Sequence, residues 1–144
     1  ILKNDFLQIE YLTDSLRITG LLPNGKSNML ADLGNLPPIP TLYGDFYFHG
    51  GHRLWHAPEA MPRTYIPDVG EIAITDLPDG VALETQTEPG TEIRKRIEIH
   101  LAADKPSAIL IHTLINDGLW PVELAPWAIT QFRLCGTVIL PIPI

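Results

Sequence analysis

Sulfur, basic charge and helix-forming windows are all scarce in this chain. A single cysteine, Cys135, cannot close an intramolecular disulfide. It sits in an apolar run and reads as a small buried hydrophobe rather than a reactive thiol. The fold is therefore expected to hold by packing alone. Ten Lys and Arg stand against 17 Asp and Glu, a formal net charge of −7. Nucleic-acid binding needs clustered cations to displace counterions from phosphate, so this balance argues against it. The only basic cluster, Arg94-Lys95-Arg96, lies among Glu92 and Glu98 and reads as a solvated strand face. No apolar run reaches the ~18 residues of a membrane-spanning helix, and Ile1 to Glu10 lacks the pattern of a signal peptide. A soluble chain with no membrane partner is the expectation, and no compartment is implied. Fourteen prolines and eleven glycines, spread along the length, leave few windows for three uninterrupted helical turns.

What is present points to strands. The 144 residues suffice for one domain, 1–144. The chain starts on Ile and finishes on the strand-like "TVILPIPI", which reads as a segment of a longer protein. In "EIRKRIEIHL", Ile93, Lys95, Ile97, Ile99 and Leu101 alternate with Glu92, Arg94, Arg96, Glu98 and His100, the period of a half-buried antiparallel strand. "EIAITDL" and "VALETQTE" flank Pro78-Asp79-Gly80 and predict a hairpin, and "SLRITGLL" and "SNMLADL" flank Pro23-Asn24-Gly25 in the same way. "SAILIHTLI", apolar on both parities, predicts a strand covered on both faces and ended by Asn116-Asp117-Gly118, with His112 a hydrogen-bonded core residue. "VELAPWAITQFRLCGTVIL" reads as further strand broken by Pro126, and "LGNLPPIP" as an extended loop. Short strands with turn signals at close intervals predict an all-β antiparallel sandwich or barrel.

Reactive side chains concentrate in "FHGGHRLWHAPE", Phe48 to Glu59. His49, His52 and His56 have spacings that would share a helical face, but Gly50-Gly51 and Pro58 disfavour a helix there. On a strand His52 and His56 share a face and His49 lies opposite, so no metal site is assigned and no cofactor is implied. None of the three serines lies in a Gly-x-Ser-x-Gly turn. Glu59 and Asp68 lie near the segment, but closeness in sequence does not set the separation that paired-carboxylate chemistry needs. The composition suits a sugar pocket: Trp55 offers a platform for flat C–H faces, and His49, His52, Arg53 and Glu59 offer donors and acceptors for hydroxyls. The competing reading has Trp55 in the core and Arg53 paired with Glu59.

The same segment resembles the His-Gly-Gly stretch of the galactose mutarotase-like (aldose 1-epimerase-like) β-supersandwich proteins, in particular the branch carrying Gly-Gly-x-Arg-Leu-Trp-x-Ala-Pro-Glu. "IHTLINDGLWPVELAPWAITQF", Ile111 to Phe132, is similar to that family's strand, Asn-containing turn and following strand. The resemblance implies a supersandwich of which this chain is the N-terminal part, with sheet edges covered by further chain or by a second copy in a homo-oligomer. It puts His49 at the position of a sugar-contacting histidine and Trp127 at that of the general-acid histidine. An indole cannot exchange a proton in that role. The family's general-base glutamate comes from its C-terminal half, which this chain is expected not to reach.

A carbohydrate-binding domain without a complete acid/base pair follows as the first reading, with a sugar or sugar-like ligand held by His49, His52, Arg53, Trp55 and Glu59, and Trp127 as a second platform. An aldose 1-epimerase completed by residues outside the segment is the alternative, and a structural or interaction module is the third.

Overall fold

The computed structural model describes residues 1–61, 63–137, 139 and 141. Among them there is no α-helix, and only one 3-10 turn, Arg63–Tyr65, interrupts an antiparallel all-β architecture. The strands are β1 (Leu2–Lys3), β2 (Leu7–Tyr11), β3 (Arg17–Pro23), β4 (Ile39–Thr41), β5 (Gly44–Phe46), β6 (Gly51–Ala57), β7 (Ala73–Leu77), β8 (Gly80–Glu84), β9 (Ile93–Leu101), β10 (Ala108–Asn116) and β11 (Ala125–Gln131). They form one sheet of order β1-β2-β3-β6-β11, a second of order β10-β9-β8-β7, and a small β4-β5 ribbon. Every pair is antiparallel.

Period-two patterning decides which faces meet. Leu7, Ile9, Ile18 and Leu54 of the first sheet pack on Val81, Leu83, Ile97 and Ile99 of the second in one buried cluster. Each such side chain removed from water contributes roughly 1.5–3 kcal/mol before chain entropy is charged against it. Two sheets facing across a shared apolar layer make a sandwich.

The Pro78-Asp79 hairpin forms as expected, with Leu77 paired to Gly80. The second expected hairpin does not. The chain does turn after Pro23, with Lys26 N–H donating to the Pro23 carbonyl. However, the ladder partner of β3 is β2, a strand absent from the sequence reading. The returning segment meets β3 through Asn28, whose side-chain oxygen accepts from Leu21 N–H and whose amide donates to the Thr19 carbonyl. A side chain that answers backbone groups in this way takes the place of a ladder.

Several other expectations are corrected. β10 forms as a strand, but Ile109 and Ile111 are exposed, so it is covered on one face among the described residues. β11 runs through Pro126 instead of breaking there. It is the last strand of its sheet, where one side of the backbone needs no ladder donor. Ile39–Thr41, at the end of and just beyond "LGNLPPIP", pairs in the small ribbon. Cys135 is exposed, since it follows the last strand in a bend beyond the sheet. Of "TVILPIPI" only Thr137, Ile139 and Pro141 are described, none of them in a strand. The rest of that run lies outside the described residues.

Lys95 departs from the solvated-face reading most sharply. Arg94 and Arg96 are partly exposed and ion-paired with Glu84, Asp117 and Glu98. Lys95, however, points between the sheets, is 3% exposed, and pairs with buried Glu88. Its parity on β9 is that of Ile93, Ile97 and Ile99, so the strand's own alternation drives it inward.

The glycine pair that opens β6 is required by close approach. Gly50 and Gly51 adopt φ of 72° and 67°. A Cβ on Gly51 would stand 2.1 Å from the Ile18 carbonyl oxygen, whereas Gly25, also left-handed at 66°, faces open space. Gly25→Ala is expected to cost about 1 kcal/mol, the backbone term alone. Gly51→Ala should cost at least ~3 kcal/mol or abolish folding, because β3 and β6 must separate. Urea unfolding of the two variants checks this, and equal losses would remove the close-approach explanation.

Candidate functional site

β6 lies between β3 and β11, and its two faces have different chemistry. His52, Leu54 and His56 face the second sheet, while Arg53 and Trp55 alternate with them onto the outer face. Ladder register sets the neighbours there. Arg17 of β3 and Ile129 of β11 flank Arg53, and Trp127 of β11 lies opposite Trp55.

Like charges directly opposite on neighbouring strands repel, so Arg17 and Arg53 need a counter-ion. Asp68 supplies it from the segment after the 3-10 turn. Its Oδ2 accepts from Arg17 Nη2 at 2.8 Å and lies 3.0 Å from Arg53 Nε. All three side chains are 4% exposed. Burial alone would raise the Asp68 carboxyl, but Arg53 and Arg17, with Lys95 and His49, hold it below the usual carboxylate range. Burial also dominates at Arg53, which is pushed down to about 9, with Arg17 adding to the shift and Asp68 and Glu88 opposing it.

Aromatic rings complete this face. The Arg53 guanidinium lies 4.5 Å from the Phe46 ring centroid and 4.1 Å from that of Trp55. Trp55 meets Tyr65 and Trp127 edge-on, with centroids 5.5 and 5.3 Å away. Beside them is a cavity of about 70 Å³ lined by Arg17, Phe46, Phe48, His49, Gly50, Arg53, Trp55, Ile129 and Gln131. Four of these residues carry buried nitrogens with no hydrogen-bond partner among the described residues: Arg17 Nε, His49 Nε2, Arg53 Nη1 and Nη2, and Trp55 Nε1. Arg53 Nε, despite its closeness to Asp68, is not aligned for a hydrogen bond either. Buried polar groups are nearly always satisfied, so a cluster of unmet nitrogens around one cavity marks a place for a polar ligand or water.

The structure brings together His49, Arg53, Trp55 and Trp127, although Trp127 touches Trp55 without lining the cavity. It does not bring His52 or Glu59 to them. His52 is on the opposite face, its Nδ1 hydrogen-bonded to Thr130 Oγ1 and its Nε2 to His112 Nε2, both at 2.8 Å. His112 is thus hydrogen-bonded, as expected, but only half-buried. Glu59 is exposed and accepts from the Tyr65 hydroxyl at 2.5 Å, so Arg53 takes Asp68 as its partner instead. Arg17, Phe46, Asp68 and Gln131 were not anticipated as site residues. Only Asp68 had a signal, a carboxylate near the histidine segment.

A larger cavity, about 460 Å³, opens between the sheets beside His52. Leu7, Ile9, Ile18, Leu30 and Leu110 line it, and both ring nitrogens of its histidine are already engaged. It therefore offers few polar groups to a ligand, and the smaller cavity is the better candidate. A second buried ionic cluster, His56, Glu88 and Lys95, lies on the inner face. Burial would raise Glu88, but the His56 hydrogen bond and Lys95 hold it low. Among the described residues no group of three His, Cys, Asp or Glu is placed to hold a metal ion, and no helix is long and apolar enough to cross a membrane. Comparison with known proteins finds no matching family model, no matching curated protein and no matching solved structure.

The His52–His112 pair has a consequence for stability. Burial, then the neighbouring His112 and Arg17, lower His52 to about 4, and burial lowers His112 as well. An unfolded imidazole takes its proton near 6.5, so between pH 6.5 and about 4 these two sites bind more protons in the unfolded chain than in the folded one, while His100, raised by its bonds to Asp79 and Glu98, works in the opposite sense. Stability should fall by about 2 kcal/mol from the histidine pair as pH drops through that window, with Asp68 and Glu88, both held low in the folded state, adding to the loss at its lower end. Denaturant unfolding at pH 8, 6.5, 5 and 4 checks this against His52→Gln, which should lose most of the slope. An unchanged slope would place the proton uptake elsewhere.

Proposed function

We propose that this chain is a carbohydrate-binding domain of galactose mutarotase-like supersandwich fold, holding a sugar or sugar-like ligand on the outer face of β6 and β11. The observation that carries this reading is the set of unmet buried nitrogens on Arg17, His49, Arg53 and Trp55 around one cavity, beside the Trp55–Trp127 pair. Hydroxyl groups would meet those nitrogens, and an indole face would cover the C–H side of a sugar ring. His49, in the His-Gly-Gly stretch, stands where the family resemblance puts a sugar contact. His52 and Glu59 have no part in the site.

Epimerase activity is not proposed for these residues alone. The family resemblance puts Trp127 at the position of the general acid, and an indole N–H does not titrate in the required range. A structural role is the second reading, favoured by the burial of Arg53 and its contacts with Phe46 and Trp55.

Ligand-observed NMR with a panel of aldoses tests these readings in the same tubes, through line broadening and anomer exchange. Broadening without exchange above the buffer rate is expected. Trp127→Ala and His49→Ala should each weaken binding about tenfold, the loss expected when a ring platform or a buried hydrogen bond is removed. Variants that lose stability while every sugar fails to bind the wild type would favour the structural role. Exchange above buffer would establish the enzyme reading.

A further inference from the structure

Arg53 carries more charge and more donors than its surroundings meet. Three cations, Arg17, Arg53 and Lys95, share two carboxylates, Asp68 and Glu88, in the buried layers around β6. One of the two, Asp68 Oδ2, serves both arginines. Arg53 Nη1 and Nη2 are buried with no partner among the described residues, and the side chain is 4% exposed. Ring faces of Phe46 and Trp55 attract the guanidinium plane but accept none of its in-plane hydrogen bonds. Water could occupy those donors, but it supplies dipoles and not a compensating charge, and an unpaired buried ion is costly.

The cavity beside Arg53 has the size for a small group. An apolar cavity of roughly 150 Å³ holds a benzene ring, and this one measures about 70 Å³. It suits a charged substituent better than a whole sugar ring. The two free Nη groups form the planar fork that pairs with two oxygens of a carboxylate or phosphate.

We propose that the ligand of this site is anionic, its carboxylate or phosphate seated in the cavity against Arg53 Nη1 and Nη2 and its sugar ring lying outward toward Trp55 and Trp127. The proposal rests on the carbohydrate reading for the ring but not for the anion. It places a local cationic pocket inside a chain of net charge −7, so recognition is by one desolvated pair and not by long-range attraction.

Titration of the wild-type protein at constant ionic strength with glucose, glucuronate, glucose 6-phosphate, inorganic phosphate and acetate decides it. At least one of the two acidic sugars should bind about 10- to 100-fold more tightly than glucose, the factor carried by a charge-assisted hydrogen bond. Which acid gains tells carboxylate from phosphate. In Arg53→Gln the ratio of acidic to neutral sugar should fall to near one. If that variant does not fold, the wild-type ratio still decides. Equal binding of glucose and both acids would overturn the anion proposal while leaving the carbohydrate reading intact. Binding of phosphate or acetate with no sugar binding would keep the anion site and refute the carbohydrate reading. A folded protein that binds none of the five refutes both.

Discussion

The outer face of the first sheet depends on one carboxylate. Asp68 sits between two buried guanidinium groups that the ladder register places side by side on β3 and β6. Without it, Arg17 and Arg53 would face each other out of water with no counter-ion, a situation that costs several kcal/mol. The same contact ties the segment after the 3-10 turn across the sheet. The turn itself brings Tyr65 onto Trp55, and Phe46 of the small ribbon closes over Arg53. Position, charge and aromatic cover around the small cavity thus trace to a single ion-pair node.

β6 places polar side chains on both sides of a packed sheet, which is expensive unless each is answered. On its inner face His56 meets Glu88, which also takes Lys95, and His52 meets His112 and Thr130. On its outer face the accounting is incomplete: Asp68 has two cations to answer, and Arg53 retains two donors unmet among the described residues. The two faces differ in degree: on the inner face of β6 one buried nitrogen, His56 Nδ1, lacks a partner among the described residues, whereas on the outer face unmet nitrogens on four residues surround one cavity.

Much of the architecture was legible because period-two alternation and a Pro-Asp-Gly turn are local signals. β9 and the β7–β8 hairpin follow directly from them. Where a tertiary partner overrode local pattern, the reading failed. β3 has β2 as its ladder partner while Asn28 of the returning segment answers β3 backbone groups with its side chain, and a proline is tolerated in β11 because that strand is last in its sheet. For Lys95 two readings of the sequence conflict: the alternation sets it with the isoleucines, the Arg94-Lys95-Arg96 cluster sets it on a solvated face, and the structure follows the alternation. The site was legible in part for the same reason. Density of reactive residues singled out Phe48 to Glu59, but a strand sends alternate residues to opposite faces, so His52 could not share a pocket with Arg53 and Trp55. Arg17 and Phe46 reach the site through sheet register and packing between segments distant in sequence, which no local pattern encodes.

The central claim, that Asp68 is the counter-ion on which this face depends, is tested most directly by urea unfolding of Asp68→Asn beside the wild type at pH 7. The substitution keeps the shape and removes the charge. A loss of about 3–5 kcal/mol is expected, the range for breaking a buried ion pair and leaving its partners uncompensated. A loss below ~1 kcal/mol would contradict the account, because the two guanidinium groups would then be accommodated without their carboxylate.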